Sequence, residues 1–302
     1  MIRLYNLDQS LVDYINNLGM GVERRGAIGG SIFYVEGNAG NDKYTGKEID
    51  HAFQTLGAAC AVSHADINRR ARWAKRNTIY VFGDALDEDL VAFPQKTDIV
   101  GLGSYDANTM AGLIGNHAPV NTAYGTRFFN MWLKGPAVAS PLLTLTNATS
   151  GVQLIGCTLS AAAETTTGVQ ATAHPFLKLF GNRFEGAFAT SYVTLGAGEA
   201  GGLEIVGNRM VDAAAAGIVI NASTTFTWKG YLMNNPLIQA TTLCLDDNSD
   251  KLYWIGNNFI TAAAVDAGYE AALDVNAKLG ANNYLTADNV ANVLVPVVDT
   301  TT

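Results

Sequence analysis

The chain has 302 residues, 31 of them Gly, with 15% charged residues and a net charge of −8. Its 48% hydrophobic content excludes a disordered chain, its low charge excludes a heptad coiled coil, and its acidity argues against a nucleic-acid surface. No run approaches the ~18 apolar residues of a helical membrane span, so neither a nucleic-acid nor a membrane partner is expected.

Residues 1–30 read as an N-terminal arm. Leu7, Leu11, Tyr14, Ile15 and Leu18 recur at helical spacing and form a candidate anchoring surface. Gly19 and Gly21 end that segment, and Gly26-Ala-Ile-Gly-Gly30 is a joint. The opening residues lack the basic start and long apolar stretch of a secretory signal, so folding in a reducing cytoplasm is expected.

Ser31–Val35 is a short strand. The loop after it, through Asp42 and Gly46, invites comparison with a calcium loop but lacks the alternating carboxylates and terminal Glu, and reads as a turn. Residues 47–62 place Ile49, Phe53, Leu56, Ala59 and Cys60 on one face and predict an amphipathic helix that caps the first layer. His51 and His64 beside it read as solvated or capping residues. Arg69, Arg70, Arg72, Lys75 and Arg76 form a basic cluster, read as a solvated or partner-docking helix face. Strands follow at 77–82 and 97–103, and from there short apolar runs alternate with Gly, Asn, Asp and Thr clusters. Cys60, Cys157 and Cys244 show no metal-ligand spacing, and their odd number fits free buried thiols. Neither metal nor cofactor is implied.

A repeat dominates the second half. Leu179-Phe-Gly-Asn-Arg-Phe184, Ile205-Val-Gly-Asn-Arg-Met210 and Trp254-Ile-Gly-Asn-Asn-Phe259 share one pattern. Weaker copies start at Leu154, Tyr231 and Leu279, with an earlier relative at Leu113. Gly156, Gly181, Gly207, Gly256 and Gly280 are 25, 26, 49 and 24 residues apart, and 49 is two steps. A period near 25 residues suits three short strands and three turns per coil, whereas a propeller blade needs about 40 or more. The expected fold is all-β: a right-handed parallel β-helix, divided as arm (1–30), cap helix and first coils (31–100) and β-helix (101–302).

Aligned coils predict stacked columns. Val152, Leu177, Leu203 and Leu252 face inward, as do Leu154, Leu179, Ile205, Tyr231 and Trp254, joined by Ile155, Phe180, Val206, Leu232 and Ile255. Gln153, Lys178, Glu204, Gly230 and Tyr253 face out, with Lys178 beside Glu204. Asn182, Asn208, Asn234 and Asn257, below Cys157, form an expected asparagine ladder, because Asn tolerates left-handed turns and its amide can bond to copies above and below. Arg183 and Arg209 stack as like charges, with Glu185 and Asp212 as available counter-charges.

Ile32-Phe-Tyr-Val-Glu-Gly-Asn-Ala-Gly-Asn-Asp, a helix, then Asn77-Thr-Ile-Tyr-Val-Phe and Thr97-Asp-Ile-Val-Gly-Leu-Gly resemble the opening of the pectate-lyase-like right-handed β-helix superfamily, most closely bacteriophage β-helix virion proteins of tailspike or head-decoration type. The resemblance implies a non-catalytic homotrimeric virion protein, assembled in the host cytoplasm and docked on other virion proteins through the arm. Ala-rich turns at 160–167 and 212–217, and the apolar run 293–298, would serve subunit packing. The alternatives are a polysaccharide-degrading tailspike or lyase, and a glycan-binding module without turnover. No catalytic motif of that superfamily is matched residue by residue. The candidates for an enzyme are Asp246, Asp247, Arg209 and Glu185, with Asp250 nearby, and Trp132, Trp228, Tyr253 and Trp254 are candidate sugar platforms.

Overall fold

The computed structural model describes residues 30–69, 75–103, 111–174, 176–220, 224–226, 230–247, 252–261 and 283–286. The arm residues Leu7, Leu11, Tyr14, Ile15 and Leu18, together with Arg70, Arg72, Trp228, Asp250 and the 293–298 run, lie outside them.

Every pairing between described strands is parallel, and neighbours in a sheet are a full coil apart in sequence. The chain is therefore a parallel β-helix. Among the described residues one sheet holds nine strands, from Ile32–Glu36 to Leu252–Ile255, a second follows a twelve-stranded path with a side branch, and two short two-stranded sheets line the remaining turns. Short strands of β-branched, Leu and aromatic residues alternate inside and outside with period two. In the nine-stranded sheet this puts Phe33, Ile79, Ile99, Phe128, Leu154, Leu179, Ile205, Leu232 and Trp254 in one buried column. The core is a single cluster from Phe33 to Phe259, continuous across residue 100.

Two expectations for the coil at 230–235 need correction. Register pairs Leu203 with Gly230, Glu204 with Tyr231 and Ile205 with Leu232. Tyr231 thus faces outward, stacked on Tyr253 at 5.6 Å, and Leu232 takes the buried place. The cause is one extra residue in the preceding turn: this coil follows its neighbour by 27 residues where the one before follows by 26. Residues 212–217 are also not a turn but part of the long strand Arg209–Ile220, whose pairing with Leu237–Asp247 shifts register at Met210–Ala214 and Ala214–Ala216. The Leu113 relative belongs to the twelve-stranded sheet and stands outside the repeat column.

The cap helix, α1 (Leu56–Arg69), begins nine residues later than the periodicity of 47–62 predicts, after a short 3-10 turn at Ile49–His51. Side chains from elsewhere set its start. Asp42 accepts from the Gln54 and Thr55 backbone N–H groups, both at 2.9 Å, and from the Thr55 hydroxyl. Glu88 accepts from Leu56 N at 2.6 Å and Gly57 N at 3.0 Å, satisfying the free amides of the first turn. Ile49 consequently lies exposed, while Phe53 bridges to Val35. The helix lies against the first two strands of the nine-stranded sheet.

A polar knot joins the helix to those strands. Asp66 on α1 accepts from Ser31 Oγ at 2.9 Å, from Asn77 Nδ2 at 3.2 Å and from the ammonium of Lys75. Asn77 also receives Ser31 N at 2.8 Å and donates to Ser63 Oγ at 3.0 Å. Burial alone would raise the Asp66 carboxyl, but its hydrogen bonds from Lys75, Ser31 and Asn77 and the Lys75 charge leave it lowered. Lys75 is therefore a buried structural cation rather than part of a solvated basic face. Arg76, in the same cluster, is committed to Asp98 at 2.9 Å and the Gly125 carbonyl at 2.6 Å, and Arg69 closes α1.

Candidate functional site

The turn after each inner strand carries the repeat's Gly-Asn pair. Gly156, Gly181, Gly207 and Gly256 take φ between +60° and +67°, and Asn234 takes φ +50° in the equivalent place. Only Gly or Asn enters that region readily. Asn234 thus replaces the glycine, and Asn235 replaces it in the ladder. The expected ladder residue Asn234 is exposed, with its side chain above Gly256.

The ladder runs through Asn182, Asn208, Asn235 and Asn257, each 1% exposed or less. Cys157 N donates to Asn182 Oδ1 at 2.9 Å, Asn182 N to Asn208 Oδ1 at 2.9 Å, Asn208 N to Asn235 Oδ1 at 2.8 Å and Asn235 N to Asn257 Oδ1 at 3.2 Å. Each Nδ2 reaches back to a carbonyl of the preceding coil: Leu154, Leu179, Ile205 and Leu232, at 2.8–3.1 Å. The Nδ2 groups of Asn182, Asn208 and Asn235 also donate to the next Oδ1. The four amides form one polarised chain along the rod axis, which orders the stack and presents no reactive group outward.

The outer face of the nine-stranded sheet carries two columns. In one, Asp98, Arg127, Gln153, Lys178, Glu204, Tyr231 and Tyr253 follow one another. Its charges are matched within the chain. Arg127 grips Asp98 through two nitrogens, both at 2.6 Å, and Lys178 meets both Glu204 oxygens at 2.8 and 2.9 Å. The other column is Tyr34, Tyr80, Val100, Phe129, Ile155, Phe180, Val206, Met233 and Ile255. Aligning the repeats predicts part of this column, with Leu232 in place of Met233, beside the core columns. Alternation puts the column outside, half-exposed along its length and reaching 42% exposure at Ile255.

The conditional catalytic residues fall in two places. Glu185 and Arg209 lie in neighbouring coils of the twelve-stranded sheet, where Arg183 pairs in register with Arg209. Glu185 lies 2.9 Å from Arg183 Nε and accepts from Ser160 Oγ at 2.8 Å; Ser160 in turn accepts from Trp132 Nε1 at 2.8 Å. Asp246 and Asp247 pair with Val219 and Ile220, at the far end of the strand that begins with Arg209. Ten residues separate the two places along that strand, so the four do not form one cluster. Trp254 is buried in the core column, which removes it as a platform, while Trp132 and Tyr253 are half-exposed. Glu48, Asp50 and His51 crowd an exposed turn, with both carboxylates 3.3 Å from His51 Nδ1.

The three thiols are free and buried. Burial pushes Cys157 up to about 11 and Cys244 up to about 12, and raises Cys60 further, so none forms a nucleophilic thiolate at neutral pH.

Two buried histidines went unremarked in the sequence because no local spacing marks them. His117 Nδ1 accepts from Leu90 N at 3.3 Å, and His174 Nδ1 lies 3.1 Å from the Thr146 carbonyl; the Nε2 of each lacks a partner. Burial lowers both to about 4, against opposing pulls from Asp89 on His117 and from Thr146 and Thr149 on His174. Because the folded state takes up protons less readily than the unfolded one, their contribution is complete above about pH 6.5 and is lost as pH falls toward 4. Denaturant titrations at pH 7.5 and 4.5 should differ by about 2–3 kcal/mol per histidine, and a His117→Gln/His174→Gln variant should lose most of that difference.

No protein family, curated protein or solved structure matches this chain significantly.

Proposed function

We propose that the chain is a structural, non-catalytic component of a bacteriophage virion, a homotrimeric β-helical spike, fibre or decoration protein that docks on other virion proteins through residues 1–30. The observation that carries this reading is the axial amide ladder. From Cys157 to Asn257 the conserved-in-repeat polar side chains bond along the rod axis and are spent on stacking coil upon coil. That arrangement suits a structural rod, whose stability sums over coil-to-coil contacts. The phage setting rests on the resemblance of the Gly-Asn-Ala-Gly-Asn-Asp opening at 37–42 and the strands after it. Mass spectrometry of purified particles tests it: the chain should be present in fixed stoichiometry, in multiples of three. Its absence from particles overturns the reading.

A glycan-degrading or glycan-binding role has one arrangement in its favour. Trp132, with Lys134 over its ring at 5.5 Å, is linked through Ser160 to Glu185 and Arg183 on a partly exposed face. An aromatic platform beside a carboxylate can hold a sugar ring. Chain shortening of host surface polysaccharide by the purified protein, abolished by Glu185→Gln, would establish it in place of the structural reading.

A further inference from the structure

We propose that the apolar stripe from Tyr34 to Ile255 is the surface along which a sister copy of this chain packs, stack against stack. The proposal rests on the reading of the chain as a self-associating rod and names the face that reading leaves open.

Three features select a second copy as the occupant. The first is pitch. The stripe presents one side chain per rung over nine rungs, and rungs in a sheet are about 4.8 Å apart. Side chains at that spacing interdigitate along their whole length only with a surface of the same spacing, which another copy of this stack supplies. A globular protein or an irregular segment meets two or three rungs and leaves the rest wet.

The second is charge. Two copies of a chain with net charge −8 repel unless the meeting faces are neutral. The charges of the column flanking the stripe cancel within the chain, Arg127 on Asp98 and Lys178 on Glu204, and Arg76 beside it is also held by Asp98. An anionic membrane or an acidic partner would call for free cations here, and these cations are already engaged.

The third is area. The stripe and its flanking column together, eight inter-rung steps of about 4.8 Å by about 13 Å of strand, give roughly 500 Å² per copy, or about 1,000 Å² for a pair. That reaches the size at which specific protein interfaces begin.

The test uses the full-length chain. Sedimentation velocity at about 10 µM should show a multimer. Ile155→Lys/Phe180→Lys, which places two cations in the middle of the stripe, should weaken self-association at least tenfold while the strand signature in circular dichroism is kept. As a second measurement, Gln153→Cys, in the outer column beside Ile155, should form an interchain disulfide on mild oxidation, because the three native thiols are buried. Thr144→Cys, on an outward position of the other sheet, should not. A multimer unaffected by the lysines, or cross-linked through Thr144→Cys and not Gln153→Cys, overturns the assignment of this face and leaves the structural reading standing. A wild-type monomer overturns both. A stripe that binds hydrophobic dye only after deletion of residues 287–302 would give the face to that segment instead, and would also overturn the proposal.

Discussion

Asn208→Ala is expected to cost about 3–5 kcal/mol, because it breaks the axial ladder at its centre. The Asn208 carboxamide oxygen accepts from both Asn182 N and Asn182 Nδ2 at 2.9 Å, and its Nδ2 supports the Leu179 carbonyl at 2.9 Å. Alanine leaves the Asn182 backbone N–H without its partner in a buried region, leaves Asn182 Nδ2 with the Leu154 carbonyl alone, removes a bond from Leu179, and opens a small void. Each buried orphan costs about 1–3 kcal/mol, and the void adds to that. Hydrogen exchange should rise first at residues 182 and 208, since each coil leans only on its neighbours. Asn208→Asp sharpens the test. Its carboxylate can still accept from Asn182, but it opposes the Leu179 carbonyl and the Asn235 oxygen, so stability should be partly recovered by acid. The neighbouring pair gives the control. Asn235→Ala should behave like Asn208→Ala, whereas Asn234→Gly should stay within about 1 kcal/mol of wild type, because glycine suits φ +50° at least as well. Equal losses at 234 and 235 would refute the register assigned here.

Asp66→Ala is the second large effect, expected at about 3–5 kcal/mol. Lys75 is 5% exposed, and Asp66 is its counter-charge. Removing the carboxylate strands an ammonium in the contact between α1 and the first coils, and takes an acceptor from Ser31 and Asn77. Replacing both charged partners, as in Asp66→Leu/Lys75→Met, should cost much less than Asp66→Ala alone, since the penalty belongs to the unpaired charge. Urea titration of the full-length variants checks this. A cost below 1 kcal/mol for Asp66→Ala would mean that the pair is effectively solvated. Because the Asp66 carboxyl is lowered in the folded state, its contribution is present above the ordinary carboxylate range near pH 4 and is lost as pH falls below it. That places its loss on the acid side of the histidine window.

The fold was legible because a coil-length repeat imposes itself on composition. Gly and Asn are needed at each left-handed turn and apolar residues inside, and a 25-residue spacing admits few architectures. The exact column membership was less legible. A one-residue difference in the turn before Gly230 moves Tyr231 outward and Leu232 inward, and exchanges the roles of Asn234 and Asn235; the Asn-Asn pair in the sequence fits either register. The start of α1 could not be read from periodicity, since Asp42 and Glu88 set it from outside the segment. Lys75 looked like part of a basic surface because its partner Asp66 sits on the helix and the burial of the pair is a tertiary fact.

The stacked-coil class, the buried free thiols and the existence of an amide ladder follow from local turn chemistry and a fixed period. Which face each column occupies depends on how the coils pack. Side-chain direction alternates with every residue, so the side of the sheet on which Phe129, Ile155 and Phe180 stand depends on register between coils. That register turned an expected core column into a half-exposed apolar stripe, and separated Glu185 and Arg209 from Asp246 and Asp247.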